Sequence, residues 1–150
     1  QLPPKINAAI VEVIKTLWSL RKFLVTILFL ASSSIILSQD LRIKKEKKAF
    51  EIAKQYNKIR DYKSAIIVLN SFISDYPGTP FREDAIYFLF DSSYKLAVNS
   101  IPSKRLERLN DAKKLYSELI NDYPETSYLE EAQKKINEID KEITIFAGTN

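Results

Sequence analysis

The chain has 150 residues, of which 45% are hydrophobic, and a formal net charge of +4. This size and composition fit one folded domain or a short repeat array and exclude a disordered chain. The absence of cysteine and histidine excludes disulfides, thiolate zinc sites and histidine-based catalysis, and the two glycines form no phosphate-binding loop. The composition therefore favours an all-helical, non-enzymatic protein without cofactor or metal.

The first 39 residues form a hydrophobic segment. Residues 8–20 have the apolar spacing of an amphipathic helix, and residues 23–37 carry no charge. As a helix this uncharged run rises roughly 22 Å, less than the ~30 Å of a hydrocarbon core. Because exposed apolar patches of this size are unfavourable in water, we expect residues 20–37 to be helical and to face lipid or another chain.

Three interpretations of residues 1–39 stay open. Arg21 and Lys22 before the apolar run and polar residues after it are typical of a signal-like or membrane-anchoring segment. The segment could also be a buried helix pair, or a stretch that does not belong natively to the rest of the chain.

Basic residues dominate the next stretch, from Arg42 to Lys63. The simplest interpretation is a solvated helix face. A second is attraction to an acidic partner or to lipid head groups. Nucleic acid is the weakest interpretation and is not expected as a partner, because no binding motif accompanies the charge.

Residues 40–146 contain an internal repeat with an offset of 47 residues. The segments 69–85 and 116–132 share an isoleucine, an Asp-Tyr-Pro triplet, a threonine, a glutamate and an alanine at equivalent positions. Self-similarity at this scale is the signature of a helical repeat array.

The repeated residues have identifiable roles at a helix connector. Pro77 and Pro124 lack an amide hydrogen and disfavour a helical residue before them, so they are expected to end their helices. Thr79 and Thr126 follow two residues later and are expected to cap the next helix by accepting from its free amides. Pro80 suits the first position of that helix.

Ala65 and Ala112 are also equivalent in the repeat, and their small side chains allow paired helices to approach closely. Counted back from Pro77, Tyr56 occupies the aromatic position of a tetratricopeptide (TPR) motif. We therefore expect both alanines at helix–helix contacts with Tyr56 in the surrounding core. The alternative is a generic α-hairpin protein with chance similarity.

These signals predict TPR-like antiparallel helix hairpins, a short α-solenoid over residues 40–146, with a tail at 147–150. The predicted helices lie near residues 41–59, 62–75, 80–98, 103–122 and 126–145.

The second repeat is longer than the first, and the added residues surround Pro102. Since proline disfavours a continuous helix, residues 99–105 are expected to form an extended loop, with Ser103 as the cap of the next helix. Long loops in compact repeats often bind partners. The candidate partner-binding residues are Asn99, Lys104, Arg105 and Arg108, and the alternative is a tolerated surface insertion with solvated charges.

Residues 47–142 resemble the C-terminal half of the BamD family of outer membrane protein assembly factors, in its Bacteroidetes-type version. The resemblance rests on KKAFE (47–51), DYKSA (61–65), DYPGTPFREDA (75–85) and, most diagnostically, YKLAVNSIPSK (94–104) followed by Glu107 and Arg108.

The resemblance implies a periplasmic lipoprotein at the outer membrane. It would be a scaffold subunit that docks to the POTRA domains of a BamA-like insertase, with other assembly subunits and unfolded outer-membrane proteins as further partners. The chain departs from the family because it has no lipidated cysteine and because residues 1–39 do not resemble the family's first repeats. The alternative function is a different TPR adaptor of the cell envelope, in a secretion machine or in cell-wall organisation.

Overall fold

The computed structural model describes the backbone of residues 4–148 and the side chains of residue 6 and of residues 9–30 and 37–146. The described backbone forms five α-helices and no strand, which confirms the predicted all-helical, TPR-like fold. The helices are α1 (Pro4–Lys58), α2 (Tyr62–Asp75), α3 (Arg82–Val98), α4 (Pro102–Asp122) and α5 (Leu129–Gly148).

The chain divides into two compact units, Gln1–Arg42 and Ile43–Asn150, called here the N-terminal unit and the repeat unit. α1 does not begin near residue 41 as predicted. No glycine or proline occurs between residues 5 and 58, so nothing in the sequence interrupts the helix where the composition changes. Helix α5 extends to Gly148, into the predicted tail, whose last two residues lie outside the described range.

In the N-terminal unit, residues 20–37 are helical and the large hydrophobic side chains that are described are exposed, from 44% to 72%. Within the described part of the chain, none of the helices has both the length and the apolar character needed to cross a membrane. The interpretations of this segment as lipid-facing or chain-facing stay predictions.

In the repeat unit, α1 ends in a hydrogen-bonded turn that leads directly into α2. Arg60 adopts a φ of 65°, its amide donates to the Asn57 carbonyl at 3.1 Å, and the Asp61 amide donates to the Tyr56 carbonyl at 3.0 Å. This is the Schellman pattern, in which glycine usually occupies the left-handed position that Arg60 holds here. Asp61 then caps α2 by accepting from the Ser64 amide at 3.2 Å.

Two hydrophobic clusters form the core of the repeat unit, and α3 contributes to both. The first cluster consists of Phe50, Ala53, Ala65, Leu69, Phe72, Ala85 and Leu89. The second consists of Ile86, Tyr87, Phe90, Ala97, Leu109, Ala112, Leu119, Ala132, Ile136 and Ile139. Ala65 and Ala112 are completely buried, and Tyr56 is partly buried against the first cluster. Because α3 packs against α2, α4 and α5, it is the central helix of the unit.

The two equivalent connectors repeat the same hydrogen bonds. The hydroxyl oxygen of Thr79 accepts from the Phe81 amide, and that of Thr126 accepts from the Tyr128 amide, both at 3.3 Å. The prediction that these threonines cap the helices is wrong, because each lies in a turn that precedes its helix by three residues. Pro80 likewise lies in the connector rather than in the first turn of α3. α2 ends at Asp75 and α4 at Asp122, in each case two residues before the repeat proline.

Candidate partner-binding site

The predicted extended loop at residues 99–105 is a tight turn. α3 ends at Val98, and the Ser100 amide donates to the Ala97 carbonyl at 3.0 Å. Ile101 is extended, with φ −62° and ψ 151°, as the residue before a proline must be, and Pro102 opens α4 as its first residue.

The turn is short because the additional residues of the second repeat extend the helices instead. α3 has 17 residues and α4 has 21, against 14 in α2. Ser103 lies inside the first turn of α4, so the prediction that it caps this helix is also wrong. The prediction that Pro102 marks a helix boundary is confirmed. Because proline is favoured at the first position of a helix, α4 begins at Pro102 itself and only three residues connect it to α3.

Arg105 and Arg108 both hold the Ser100 turn from one turn of α4. The Arg105 guanidinium donates from Nε and Nη2 to the Ser100 carbonyl at 3.2 and 3.0 Å. Arg108 Nη1 donates to the Ser100 hydroxyl oxygen at 2.5 Å. The Ser100 hydroxyl in turn donates to the Leu96 carbonyl, also at 2.5 Å. Arg105 Nη1 also lies 3.7 Å from a carboxylate oxygen of Glu142 on α5. Both arginines therefore close the α3–α4 turn and leave fewer donors for a partner.

Beside this turn lies a groove of about 560 Å³ between α2, α3 and α4, called here the first groove. Its apolar lining comes from one partly buried residue of each helix, namely Ile66, Leu96 and Leu115. Its charged lining comes from Lys104, Glu107, Arg108, Asp111 and Lys114 of α4. An apolar floor with charges along one wall is suited to an extended or helical peptide segment.

A second groove, of about 590 Å³, adjoins the first and shares Leu96 with it. It is lined by Leu96, Asn99 and residues 60–63, which span the end of the α1–α2 turn and the first two residues of α2. In this turn a hydrogen bond from Ser64 holds the pKa of the Asp61 carboxyl below its usual value, so the carboxylate serves the α2 cap.

The structure places three of the four candidate binding residues at these two grooves. Lys104 and Arg108 line the first groove and Asn99 lines the second, whereas Arg105 lines neither of them. Lys104 is exposed, while the Asn99 side chain, also exposed, donates to the Lys95 carbonyl at 2.7 Å. Of the four, Lys104 is the candidate whose charge is presented to solvent at a groove.

A buried polar network joins α1, α3 and α5 within the repeat unit. The Asp91 carboxylate pairs with Lys95 at 2.6 Å and with Lys135 at 2.7 Å. The Asn57 amide nitrogen donates to Asp91 at 2.9 Å and to the Ser92 hydroxyl oxygen at 2.8 Å. A charge this deeply buried is stable only when it is paired and hydrogen-bonded, and Asp91 is surrounded by three donors from three helices.

The electrostatics of the network follow from these contacts. Burial by itself raises the pKa of Asp91, but hydrogen bonds from Lys135 and Lys95 outweigh it and hold that pKa below its ordinary value. Burial lowers the pKa of Lys135, but hydrogen bonds to Asp91, Glu131 and Tyr87 outweigh that effect and raise it. Asp91 and Lys135 are therefore both charged at neutral pH and stabilise each other.

An aromatic pair continues the α3–α5 contact. The rings of Tyr87 and Tyr128 stack with their centroids 3.8 Å apart, and the Tyr128 hydroxyl donates to Asp84 at 2.5 Å. The Thr126 hydroxyl donates to Glu83 at 2.6 Å. The connector before α5 is thereby tied to the first turn of α3, which fixes one repeat against the next.

Sequence reasoning missed this network. Asp91 and Lys95 are spaced for an ion pair along α3, and they are the only charged residues of that helix after its first turn, which was an available signal. Nothing in the sequence indicated that Lys135 of α5 completes the pair, because that contact depends on how α5 packs. Among the described residues, no cluster of acidic side chains has the arrangement of a metal site.

Comparison with known protein families identifies a match over most of the chain. The model of the YfiO family, described as an outer membrane lipoprotein, matches residues 42–145, which include the end of α1, all of α2, α3 and α4, and most of α5. A comparison with curated proteins found no match.

Proposed function

The chain belongs to the YfiO family of outer membrane lipoproteins, and on this premise we propose that it is a non-catalytic scaffold subunit of the outer-membrane β-barrel assembly machinery. In this role the repeat unit docks to the periplasmic POTRA domains of a BamA-like insertase. The site of action is the periplasmic face of the outer membrane, and the version of the family is the Bacteroidetes type.

The family match over residues 42–145 carries this proposal. The repeat unit supports it physically, because its helices are locked together by a buried polar network and a shared central helix. A repeat array of this kind presents a surface that is already ordered, so little conformational entropy is lost when a partner binds.

We propose the two adjoining grooves as the docking surface. They combine an apolar floor at Ile66, Leu96 and Leu115 with basic residues on their rims, Lys104 in the first and Lys63 in the second. An acidic, partly apolar surface of the partner fits this lining. Arg105 acts through the shape of the turn, since its Nε and Nη2 donate to Ser100, whereas Arg108 both donates to Ser100 from Nη1 and lines the first groove.

The test is a quantitative pull-down of the POTRA domains of a BamA-like protein by the full chain and two variants. Lys104→Glu reverses a charge at the first groove, and Lys134→Glu reverses an exposed charge on α5 outside both grooves. We expect Lys104→Glu to weaken binding about fivefold to tenfold and Lys134→Glu to leave it nearly unchanged.

The other outcomes are equally informative. Loss of binding only in Lys134→Glu would move the docking surface to the α4–α5 pair. No binding by the unaltered chain would contradict the assembly role and favour the alternative, another TPR adaptor of the cell envelope.

A further inference from the structure

We propose that residues 6–30 of α1 bind the surface of an anionic membrane, with the helix axis parallel to the bilayer. This inference is independent of the proposed docking function, because it concerns the N-terminal unit alone. It rests on the distribution of polar and apolar side chains around the helix, on their exposure, and on the sign of the charges.

A narrow polar stripe runs along one side of this helix. Glu12, Lys15, Ser19 and Lys22 recur at intervals of three and four residues and therefore lie on one face. Lys15 pairs with Glu12 at 3.0 Å, so the stripe is continuous at its start. A polar stripe parallel to the helix axis suits a helix that lies in an interface, with this side toward water.

Most of the remaining circumference is apolar and exposed, and among residues 9–30 the polar residues other than those four are Thr16, Arg21 and Thr26. Seven hydrophobic residues spaced at three and four form the face opposite the polar stripe: Ile6, Ile10, Val13, Leu17, Leu20, Leu24 and Ile27. Their exposed fractions run from 44% to 59%. A lone exposed apolar face of this length is unfavourable in water and indicates a binding surface.

A bilayer fits this face better than a second copy of the helix. In a coiled coil the positions beside the apolar seam carry charges that pair between helices. Here those positions are mostly apolar, as at Ile14, Phe23, Leu28 and Leu30, so the hydrophobic arc is wider than a two-helix contact can cover.

The polar groups and charges also suit an anionic surface. Lys15, Arg21 and Lys22 outnumber the single acid Glu12 over residues 9–30. The Lys22 ammonium lies 3.8 Å from the centre of the Trp18 ring, which places a cation and an interfacial aromatic side chain together. Basic residues beside an apolar face attract anionic lipid head groups.

The segment after Lys22 carries no charged side chain that would have to stay in water. Residues 23–30 are apolar on all sides except at Thr26, whose hydroxyl donates to the Phe23 carbonyl at 2.7 Å. The Thr16 hydroxyl similarly donates to the Val13 carbonyl at 2.8 Å. Both hydroxyl protons are thus satisfied within the helix, which lowers the cost of leaving water.

The experiment uses the full chain and its single tryptophan, Trp18, which lies within the proposed surface. The protein is titrated with vesicles of phosphatidylglycerol and phosphatidylethanolamine, and separately with vesicles of phosphatidylcholine alone. We expect the Trp18 emission to shift to shorter wavelength and to be quenched by brominated acyl chains, with tighter binding to the anionic vesicles and weaker binding at high salt.

Two variants with the same charge change give the control. Leu17→Asp alters the apolar face and Ser19→Asp alters the polar stripe, and the two positions flank Trp18 symmetrically in sequence. We expect Leu17→Asp to bind anionic vesicles at least about tenfold more weakly than Ser19→Asp, because only the former places a carboxylate in the apolar contact. Circular dichroism checks that both variants keep the helix content of the parent.

Several results would overturn the proposal. Equal losses in the two variants would mean that charge alone governs binding, and equal affinity for neutral vesicles would remove the anionic preference. A blue shift that appears without vesicles and grows with protein concentration would show that a second copy of the chain covers this face.

Discussion

Phe29 in the N-terminal unit is 72% exposed, whereas Phe90 in the repeat unit is completely buried. Both are phenylalanines on helices, so neither residue type nor helix formation decides their burial. Phe90 lies on α3, which packs against three other helices of its own unit. The difference teaches that an apolar helix forms a core only where the chain supplies complementary helices, and that without them its apolar side chains stay exposed.

We expect the largest loss of stability when the buried polar network around Asp91 is broken, and a much smaller loss when an exposed ion pair is removed. In Asp91→Ala, the ammonium groups of Lys135 and Lys95 lose the carboxylate that pairs them. We expect the free energy of unfolding to fall by about 3–5 kcal/mol, as measured by urea denaturation followed by circular dichroism. In the control Asp111→Ala, an exposed pair with Lys114 is removed, and we expect a loss below about 0.5 kcal/mol. Similar losses in the two variants would contradict the structural role of the network.

The second-largest expected effect comes from making the same substitution once in each unit and comparing the changes in stability. Ala65→Leu inserts three carbon atoms into a completely buried site between helices and should cost about 1–3 kcal/mol. Ala9→Leu makes the same change at an exposed position of the N-terminal unit and should leave stability nearly unchanged. Thermal melts of both variants at low protein concentration provide the measurement. If Ala65→Leu melts at the same temperature as the parent, the first cluster can accommodate a larger side chain and the prediction of close packing at Ala65 is wrong.

The fold was predictable from the sequence because its determinants are local. The Asp-Tyr-Pro triplets, the conserved spacing of Ala65 and Ala112 within the repeat, and the apolar periodicity predicted the number and order of the helices in the repeat unit. One error was the start of α1, and the others lay at connectors, where Pro102 and the threonines can serve either in a loop or in the first turn of a helix. Which of these they adopt depends on hydrogen bonds to residues that local patterns do not reveal.

The candidate site was predictable only in part. The added residues of the second repeat led to Asn99 and Lys104, which the structure places beside two grooves. The same argument included Arg105 and Arg108, whose guanidinium groups hydrogen-bond to Ser100, and of these two Arg108 also lines the first groove. The sequence shows where a basic residue lies but not which acceptor in the same chain it hydrogen-bonds to. A cluster of basic residues in the sequence therefore does not tell whether each of them binds a partner or stabilises the fold.

The smallest expected effect is a difference in stability between variants at the two equivalent connectors, which contain Thr79 and Thr126. Thr79 and Thr126 accept the same backbone hydrogen bond at 3.3 Å, but the Thr126 hydroxyl also donates to the Glu83 carboxylate at 2.6 Å. Valine keeps the shape of threonine and removes the hydroxyl, so both variants lose the shared bond. Thr126→Val alone loses the bond to a charged acceptor between repeats.

We therefore expect Thr126→Val to be less stable than Thr79→Val by about 1 kcal/mol, measured by urea denaturation of the two variants side by side. The double variant Thr126→Val with Glu83→Gln refines the result, because the cost of the valine should shrink once the carboxylate charge is absent. Equal stabilities of the two single variants would mean that the Thr126–Glu83 bond adds nothing to the contact between repeats. The stacking of Tyr87 on Tyr128 and the hydrogen bond from Tyr128 to Asp84 would then hold the α5 connector to α3.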